Sequence, residues 1–311
     1  MVTNLINVLN IRSVSKAYKH GQVRANEKIS VKFIPGEITA LVGHNGAGKT
    51  TLLKQIIGIV RPDEGTITYQ GHSFINEPEI ARESIGMMPQ FNFPLSGVTA
   101  KQSIMAGLRI RGVGRINSKK LTSRIIKELK IEEWQDVPGE KLSGELQRLV
   151  SFAMTVAVPL PIIMLDEPTN DVDPVRRVLM WEYLRKLANR GCIVIIVTHN
   201  LLEVERYADR LLLLDHGKLV RDELAKTTCL NGLSVVILEV NVRTRLEKWN
   251  FPTALKVTID EENLKYHFYL KNDQVGPAIT WVTKKVKNGE IARYNLGPRP
   301  LNEMYKEATH G

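Results

Sequence analysis

The sequence predicts an α/β protein in which a parallel sheet is covered by helices on both faces, followed by a smaller α+β domain. Two wholly apolar segments, 161–165 and 192–197, are predicted strands, and a helical segment at 175–189 lies between them. A helix that joins two fully buried strands is typical of a parallel sheet. A third apolar strand, 38–42, leads directly into a glycine-rich loop, which is the second observation that favours this fold class.

The elements of the first third follow from local patterns. Residues 28–33 alternate apolar and polar side chains, as a half-buried strand does. Pro35-Gly36-Glu37 is a turn signal that separates this strand from 38–42. Helical spacing predicts a helix at 51–57, and the polar stretch 61–83 is expected to be rich in turns.

Local patterns also predict the elements of the rest of the chain. The stretch 105–134 is helical in character, with breaks at Gly112 and Gly114. After about residue 224 the segments become short and alternating, which predicts a small α+β domain. Its expected strands are 233–242, 256–259, 264–270 and 291–296, and its expected helices are 277–287 and 301–308.

Length and composition bound the class of protein. The chain has 311 residues, of which 43% are hydrophobic and 24% charged, so we expect two ordinary globular domains rather than a disordered or collagen-like chain. The longest apolar runs are far shorter than the ~20 residues of a membrane-spanning helix, and no secretory signal is visible. Cys192 and Cys229 have no metal-binding spacing, which favours a reducing compartment, the cytoplasm.

Positive charge is concentrated in one region. The net charge is +10, and residues 101–130 carry nine Lys or Arg against one acid, Glu128. Such a region suits an anionic partner or is simply a solvated helical face, and charge alone leaves both interpretations open. Nucleic acid is not expected as the partner, because no aromatic residue is interleaved among these cations.

The glycine-rich loop predicts a phosphate-binding site. Residues 43–50 fit the pattern G-x-x-x-x-G-K-[ST] between a strand and a helix. Glycines allow successive backbone N–H groups to face an anion, and the helix N-terminus adds positive potential. We expect Lys49 to reach the β- and γ-phosphates and the Thr50 hydroxyl to bind Mg²⁺. The alternative is a glycine-rich turn that binds nothing. The expected nucleotide contacts in this segment are Gly43, His44, Asn45, Gly46, Ala47, Gly48, Lys49, Thr50 and Thr51.

Two acidic residues end the strand at 161–165. Asp166 can hold Mg²⁺ through water, and Glu167 can face an attacking water as general base, since adjacent side chains at a strand end point in different directions. An acidic strand cap without a function is the alternative.

Six motifs in a fixed order resemble the nucleotide-binding subunits of ATP-binding-cassette (ABC) transporters, over about residues 11–219. Residues 43–50 match the Walker A loop of that family, Gln90 its Q-loop, 142–148 its signature motif, 162–167 its Walker B motif, 169–174 its D-loop with Asp173, and His199 its switch histidine. Tyr18 matches the aromatic residue that stacks on adenine. Taken singly, Tyr18, Gln90 and His199 also have ordinary structural interpretations.

The resemblance implies a fold, a reaction and a set of site residues. The fold is a P-loop NTPase of the ABC type at 1–224, with a RecA-like core, an antiparallel β subdomain and a helical subdomain at about 91–150, and 225–311 is an accessory domain. The implied reaction is ATP hydrolysis with Mg²⁺. Glu167, His199 and Lys49 are then catalytic, and Thr50, Gln90 and Asp166 are metal ligands. Tyr18, Gln90, His199 and the loop bind ATP.

The signature segment departs from the family pattern. It reads Leu142, Ser143, Gly144, Glu145, where the usual fourth residue is glycine. In the family this segment acts in trans on the γ-phosphate of a second subunit, so Glu145 would bring a carboxylate close to phosphate. The alternatives are that Glu145 points outward or pairs with a cation such as Arg148.

The resemblance also implies partners and a location. A second ATPase subunit, identical or related, would dimerise head to tail and energise a separate transmembrane permease at the cytoplasmic face of the membrane. The 101–130 region would face that permease or anionic lipid, through Arg109, Arg111, Arg115, Lys119 and Lys120. Residues 290–306 resemble the tail of the drug, antibiotic, sodium and polysaccharide exporter branch, which favours export. The alternative function is a soluble ABC ATPase that acts as an assembly or mechanical factor.

Overall fold

In a computed structural model, residues 7–18, 22–90, 97–225, 236–242, 254, 256–260 and 264–298 are described. The chain divides into two compact units, Met1–Glu223 and Leu224–Gly311. The predicted helix at 301–308 lies outside the described residues. Within the described residues, none of the helices is both long enough and apolar enough to span a membrane.

The elements of the first unit alternate between strands and helices. In chain order they are β1 (Leu9–Tyr18), β2 (Val23–Phe33), β3 (Ile38–Val42), α1 (Lys49–Ile56), β4 (Glu64–Tyr69), β5 (His72–Ser73), α2 (Pro78–Ser84), β6 (Ile85–Met88), α3 (Ala100–Ile110), α4 (Arg115–Glu128), α5 (Gly144–Val156), β7 (Ile162–Asp166), α6 (Pro174–Ala188), β8 (Ile193–Val197), α7 (Leu201–Tyr207), β9 (Arg210–Asp215) and β10 (Lys218–Leu224). Short 3₁₀ turns lie at Glu132–Trp134 and Gly139–Lys141.

A six-stranded sheet forms the centre of this unit, in the order β10-β9-β3-β8-β7-β6. Strand β3 pairs in parallel with β8 and β9, and β7 pairs in parallel with β8 and β6. All residues of β3, β7 and β8 are buried, as their continuous apolar sequences predict. Because parallel strands end at the same edge of a sheet, the segments that follow β3, β7 and β8 meet there.

A second, four-stranded sheet, β2-β1-β4-β5, packs its apolar side chains into the same core. The β1–β2 and β1–β4 pairs are antiparallel. Strand β4 and most of helix α2 lie in the segment 61–83, which the sequence predicted only as turn-rich. That expectation was incomplete, because Ile67 and Tyr69 are buried at alternate positions of a short strand with turn residues on both sides.

The predicted helical stretch at 105–134 is divided where expected. Helix α3 begins earlier, at Ala100, because Thr99 caps it: its hydroxyl accepts from Gln102 N, and the Gln102 side chain accepts from Thr99 N. Helix α3 ends before Gly112, whose φ of 81° lies in the left-handed region. Helix α4 then begins after Gly114.

The second unit is an α+β structure with its own core. Its elements are β11 (Val236–Val242), β12 (Lys256–Asp260), β13 (Lys265–Leu270), α8 (Asn272–Lys287) and β14 (Ile291–Pro298). The strands form an antiparallel sheet in the order β12-β13-β11-β14, and Ala278 and Val282 of α8 share a buried cluster with strand residues such as Leu238 and Phe268. Helix α8 begins five residues before the predicted start at Pro277, which lies inside the helix.

Candidate functional site

The loop between β3 and α1 ends in a glycine, Gly48, at a position where any side chain would be strained. Gly48 has a φ of 102°, and a Cβ there would lie 2.0 Å from Ala25 O. The ammonium group of Lys49 donates to Gly43 O at 2.7 Å and to His44 O at 3.0 Å. Burial lowers the pKa of Lys49, and the nearby carboxylates of Glu167 and Asp166 oppose that shift. The loop therefore folds around its own lysine, as a phosphate-binding loop requires.

The first residue pair that the sheet brings together is Thr50 and Asp166. The Thr50 hydroxyl donates to Asp166 Oδ2 at 2.9 Å, although the two residues are 116 positions apart. Asp166 is buried, and this burial raises the pKa of its carboxyl group. A hydroxyl and a carboxylate oxygen side by side are hard oxygen donors, so these residues suit Mg²⁺.

The second pair is Glu167 and His199. His199 Nδ1 lies 3.0 Å from Glu167 Oε2 and donates to it, since a carboxylate oxygen accepts. Glu167 is buried and has a φ of 52°, a left-handed conformation that is uncommon outside glycine. Such backbone strain is often found at functional sites. The His199 ring is 68% exposed, so it covers the carboxylate from the solvent side.

Lys49, Thr50, Asp166 and Glu167 line one cavity of about 520 Å³. Most of the nucleotide contacts predicted from the sequence line it, whereas Gly43, His44 and His199 are not among the lining residues. The lining residues are Tyr18, Val23, Ala25, Asn45, Gly46, Ala47, Gly48, Lys49, Thr50, Thr51, Gln90, Asp166 and Glu167. Val23 and Ala25 were missed by the sequence analysis, which did not extend the predicted strand back to Val23.

The signature segment lies at the start of α5. Ser143 is the N-cap, and its hydroxyl accepts from Leu146 N at 3.3 Å. Leu142 is buried, and Gly144 has open space where a Cβ would stand. Neither residues 142–145 nor Asp173 line the cavity of their own chain.

Glu145 is paired, but not with the residue suggested by the sequence. Its Oε1 accepts from Arg176 Nη1 at 3.0 Å and from Asp173 N at 3.1 Å. The suggested pairing with Arg148 is wrong. Arg148 is buried and donates to backbone carbonyl groups instead. The signature segment is thus joined to the start of α6 by an ion pair.

Arg148 instead joins three motifs, a role that the sequence analysis missed. Its guanidinium group donates to Gln90 O at 3.1 Å, to Pro168 O at 3.2 Å and to Glu167 O. An arginine on the apolar face of α5, among Leu146, Leu149 and Phe152, was the signal that could have revealed it.

Glu203 is a second buried residue that the sequence analysis missed. Its carboxylate accepts from Thr169 Oγ1 at 2.8 Å, Trp181 Nε1 at 3.0 Å, Asn200 Nδ2 at 2.9 Å and Arg177 Nη1 at 3.3 Å. Thr169 follows the β7 acids and Asn200 follows His199. The Glu203 carboxylate therefore fixes the spacing of the two loops that carry Glu167 and His199.

Comparison with known proteins agrees with this geometry. A family profile described as "ABC transporter" matches residues 26–170. "Nod factor export ATP-binding protein I" of Burkholderia orbicola is 34% identical over 69% of this chain and 70% of its own length. The protein of that name in Burkholderia thailandensis is 31% identical over 97% of this chain and 96% of its own length. A solved dimeric ATP-binding cassette in a post-hydrolysis state, bound to ADP and Pi, superposes with a TM-score of 0.64 at 27% identity, over 70% of this chain and 99% of the cassette.

These similarities confirm the fold class and the family predicted from the sequence, that of a P-loop ATPase with ABC architecture. They also confirm ATP as its ligand and ATP hydrolysis as its reaction. The chain belongs to the ABC transporter family, as one of its ATP-binding subunits.

Proposed function

We propose that this chain hydrolyses ATP at the β3–β7–β8 edge of its sheet and thereby drives an export permease. The observation that supports this most directly is the convergence of the Lys49 loop, the Thr50–Asp166 pair and the Glu167–His199 pair on one side of the central sheet. The members of the two pairs are 116 and 32 positions apart in the chain, so the arrangement depends on the fold rather than on local sequence.

ATP binding uses the walls of the cavity. Tyr18, 39% exposed at the cavity wall, stacks on the adenine ring. The backbone N–H groups of 45–50 face the phosphates, and Lys49 exchanges its two carbonyl acceptors for phosphate oxygens. Thr50, Asp166 and Gln90 would hold Mg²⁺, which would neutralise phosphate charge.

Hydrolysis follows from the position of Glu167. A water molecule attacks the γ-phosphorus, the bond to the β–γ bridging oxygen breaks, and the products are ADP and phosphate. Glu167 accepts the proton of the attacking water as the new P–O bond forms. His199 donates a hydrogen bond to Glu167 Oε2 and so holds the carboxylate in place. Lys49 stabilises the charge that develops on the γ-phosphate.

The signature segment serves a second copy or a related subunit. Ser143 and the N-terminus of α5 are outside the cavity of their own chain, which is consistent with action on the nucleotide of a partner. Asp173, the N-cap of α6, lies beside Glu145 and takes part in the same contact. Because Arg176 neutralises Glu145, the extra carboxylate does not prevent phosphate from approaching Ser143.

The connection between α3 and α4 is the surface that binds the permease. Ile110 and Ile116 are 85% and 83% exposed there, next to the exposed cations Arg115, Lys119 and Lys120. Exposed apolar side chains with a rim of charge are typical of an interaction site. This contact places the chain at the cytoplasmic face of the membrane, where the cations also suit anionic headgroups.

Arg109 and Arg111, which the sequence suggested as contacts of the permease or of lipid, make hydrogen bonds within their own chain. Arg109 donates to Val113 O, and Arg111 donates to Arg82 O and Ile85 O. We propose that they shape the connection between α3 and α4 rather than bind the permease.

Export is supported by relatives. Proteins named for Nod factor export match this chain, and the match to one of them covers 97% of this chain and hence both units. The domain organisation that we propose is an ATPase domain at 1–224, with its helical subdomain at about 91–150, and an accessory domain at 225–311.

The experiment is purification of the tagged chain from its native membranes in mild detergent. We expect a polytopic membrane protein in stoichiometric amount, and we expect Ile110→Asp with Ile116→Asp to lose it. Ile59→Asp, at another exposed isoleucine (63%), is the matched control and should retain it. Recovery with soluble proteins alone would favour an assembly or mechanical factor, and retention by the double variant would refute the docking surface.

A further inference from the structure

The β9–β10 turn brings two side chains against the phosphate-binding loop. Asp215 ends β9, His216 begins the turn, and both lie beside His44 of the loop. Ligand atoms of the three residues all lie within 4.8 Å of one another. His44 Nε2 is 3.1 Å from Asp215 Oδ1, and His216 Nε2 is 4.0 Å from the same oxygen. None of these side chains has a role in the hydrolysis proposed above.

The hydrogen bonding of His44 leaves one ring nitrogen without a partner. His44 Nδ1 is 2.7 Å from Asn45 O, and since a carbonyl oxygen only accepts, Nδ1 carries the hydrogen. In the neutral ring Nε2 then carries a lone pair and no hydrogen. That atom is shielded from solvent and makes no hydrogen bond, because Asp215 Oδ1 is close but lies outside hydrogen-bond geometry. An unprotonated Nε2 at 3.1 Å from a carboxylate oxygen places two lone pairs against each other, and either a proton on Nε2 or a metal cation bound by both atoms removes this repulsion.

We propose that His44, Asp215 and His216 form a binding site for a transition-metal ion, with Zn²⁺ the best match. Two imidazoles and one carboxylate are ligands that zinc accepts, with a fourth position open to water. The hydrogen bond from Nδ1 to a backbone carbonyl is the second interaction that metal-binding histidines usually make. His216 is 82% exposed, so its ring can turn about χ1 to close the remaining distance.

Such an ion would join the phosphate-binding loop to the β9–β10 turn. The two segments are already in contact: Gly217 N donates to Ala47 O at 3.1 Å, and a Cβ on Gly43 would lie 2.4 Å from Leu214 O. His44 O also accepts from Lys49. A bound ion would therefore restrain the backbone of the residue that holds the Lys49 ammonium group.

The test is Zn²⁺ binding to the full-length protein, by competition with a chromogenic chelator in excess Mg²⁺ and without nucleotide. We expect one Zn²⁺ per chain at this site, and more than about tenfold weaker binding in His216→Ala and in Asp215→Asn. His72→Ala is the matched control, since His72 is also partly exposed and paired with a carboxylate, that of Glu77. This variant should bind as tightly as the native protein.

A second readout is independent of hydrolysis and of the chelator. Zn²⁺ should raise the Tm of the native protein and of His72→Ala, and should leave the Tm of His216→Ala unchanged. The proposal is overturned if the native protein binds no Zn²⁺. It is equally overturned if all three variants bind it as tightly as the native protein. A His44 imidazolium without metal, seen by NMR as two protonated ring nitrogens in the presence of Zn²⁺, would also contradict it.

Discussion

At the residue scale, the contact between Glu145 and Arg176 changes the effect expected of a carboxylate in the signature segment. A carboxylate at the start of the signature helix would repel the phosphate of a bound nucleotide. The structure pairs it with Arg176 at 3.0 Å, and the Asp173 N–H group also donates to it. The side chains of Arg176 and Glu145 are 21% and 25% exposed, so solvent screens their interaction in part. The charge at this position is thus neutralised within the chain.

This pairing predicts the outcome of a double-mutant cycle. Arg176→Met leaves Glu145 unpaired, so we expect ATP turnover to fall about threefold, equivalent to ~0.7 kcal/mol at the barrier. In the Glu145→Gly background the same Arg176 substitution should have little effect, because the carboxylate is gone. Steady-state ATPase assays of the four proteins measure the coupling. Equal losses in both backgrounds would show that Arg176 acts by another route.

At the scale of elements, two buried charged side chains, Arg148 and Glu203, hold the motifs of the site together. Arg148 ties α5 to Gln90 and to the backbone after β7. Glu203 of α7 binds groups from α6 and from the loops after β7 and β8. The positions of Gln90 and of the segments after β7 and β8 therefore depend on side chains of α5 and α7.

Removing the Glu203 carboxylate should destabilise the first unit. Glu203→Ala leaves Trp181 Nε1, the Thr169 hydroxyl and Arg177 without this acceptor, so we expect a loss of about 3 kcal/mol in the free energy of unfolding. Urea denaturation measures this loss. The matched control is Glu205→Ala, because Glu205 lies on the same helix and is more exposed than Glu203. A similar effect of the two substitutions would show that the Glu203 interactions contribute little.

The sequence predicted the strands and loops at the edge of the sheet that carries the candidate site, because apolar strands and a glycine-rich loop are local signals. It could not predict the partner of Glu145, since Arg148 is close along the helix whereas Arg176 comes 31 positions later and meets Glu145 only in the folded chain. Strand β4 was missed for a related reason: only two of its residues, Ile67 and Tyr69, are buried. The roles of Arg148 and Glu203 likewise arise from long-range packing.

At the scale of the whole molecule, Cys192 reports on the integrity of the central sheet. It precedes β8, and burial raises the pKa of its thiol to about 12. In a Cys229→Ser background it is the only thiol of the chain. We expect negligible alkylation of the native protein at pH 8 and complete alkylation in denaturant, as quantified by mass spectrometry. Rapid labelling of the native protein would contradict the burial of this residue.

The raised pKa of Cys192 also makes the free energy of unfolding depend on pH. The folded state keeps the thiol proton up to a pH of about 12, whereas an unfolded chain releases it near 8.5. The stabilisation from this group is therefore fully present below the unfolded value and is lost as pH rises towards the folded value. Urea titrations at several pH values above 8.5, compared with Cys192→Ala in the same background, isolate this contribution. An equal pH dependence in the two proteins would contradict it.

The most direct test of the proposed mechanism is to measure ATP hydrolysis by the purified chain with and without the Glu167 carboxylate. Glu167→Gln keeps the shape of the side chain but cannot accept the proton of the attacking water. We expect turnover to fall at least about 100-fold, while the affinity for a fluorescent ATP analogue stays within about twofold, since the Lys49 loop is unchanged. Turnover that survives this substitution would contradict the assignment of Glu167 as the general base.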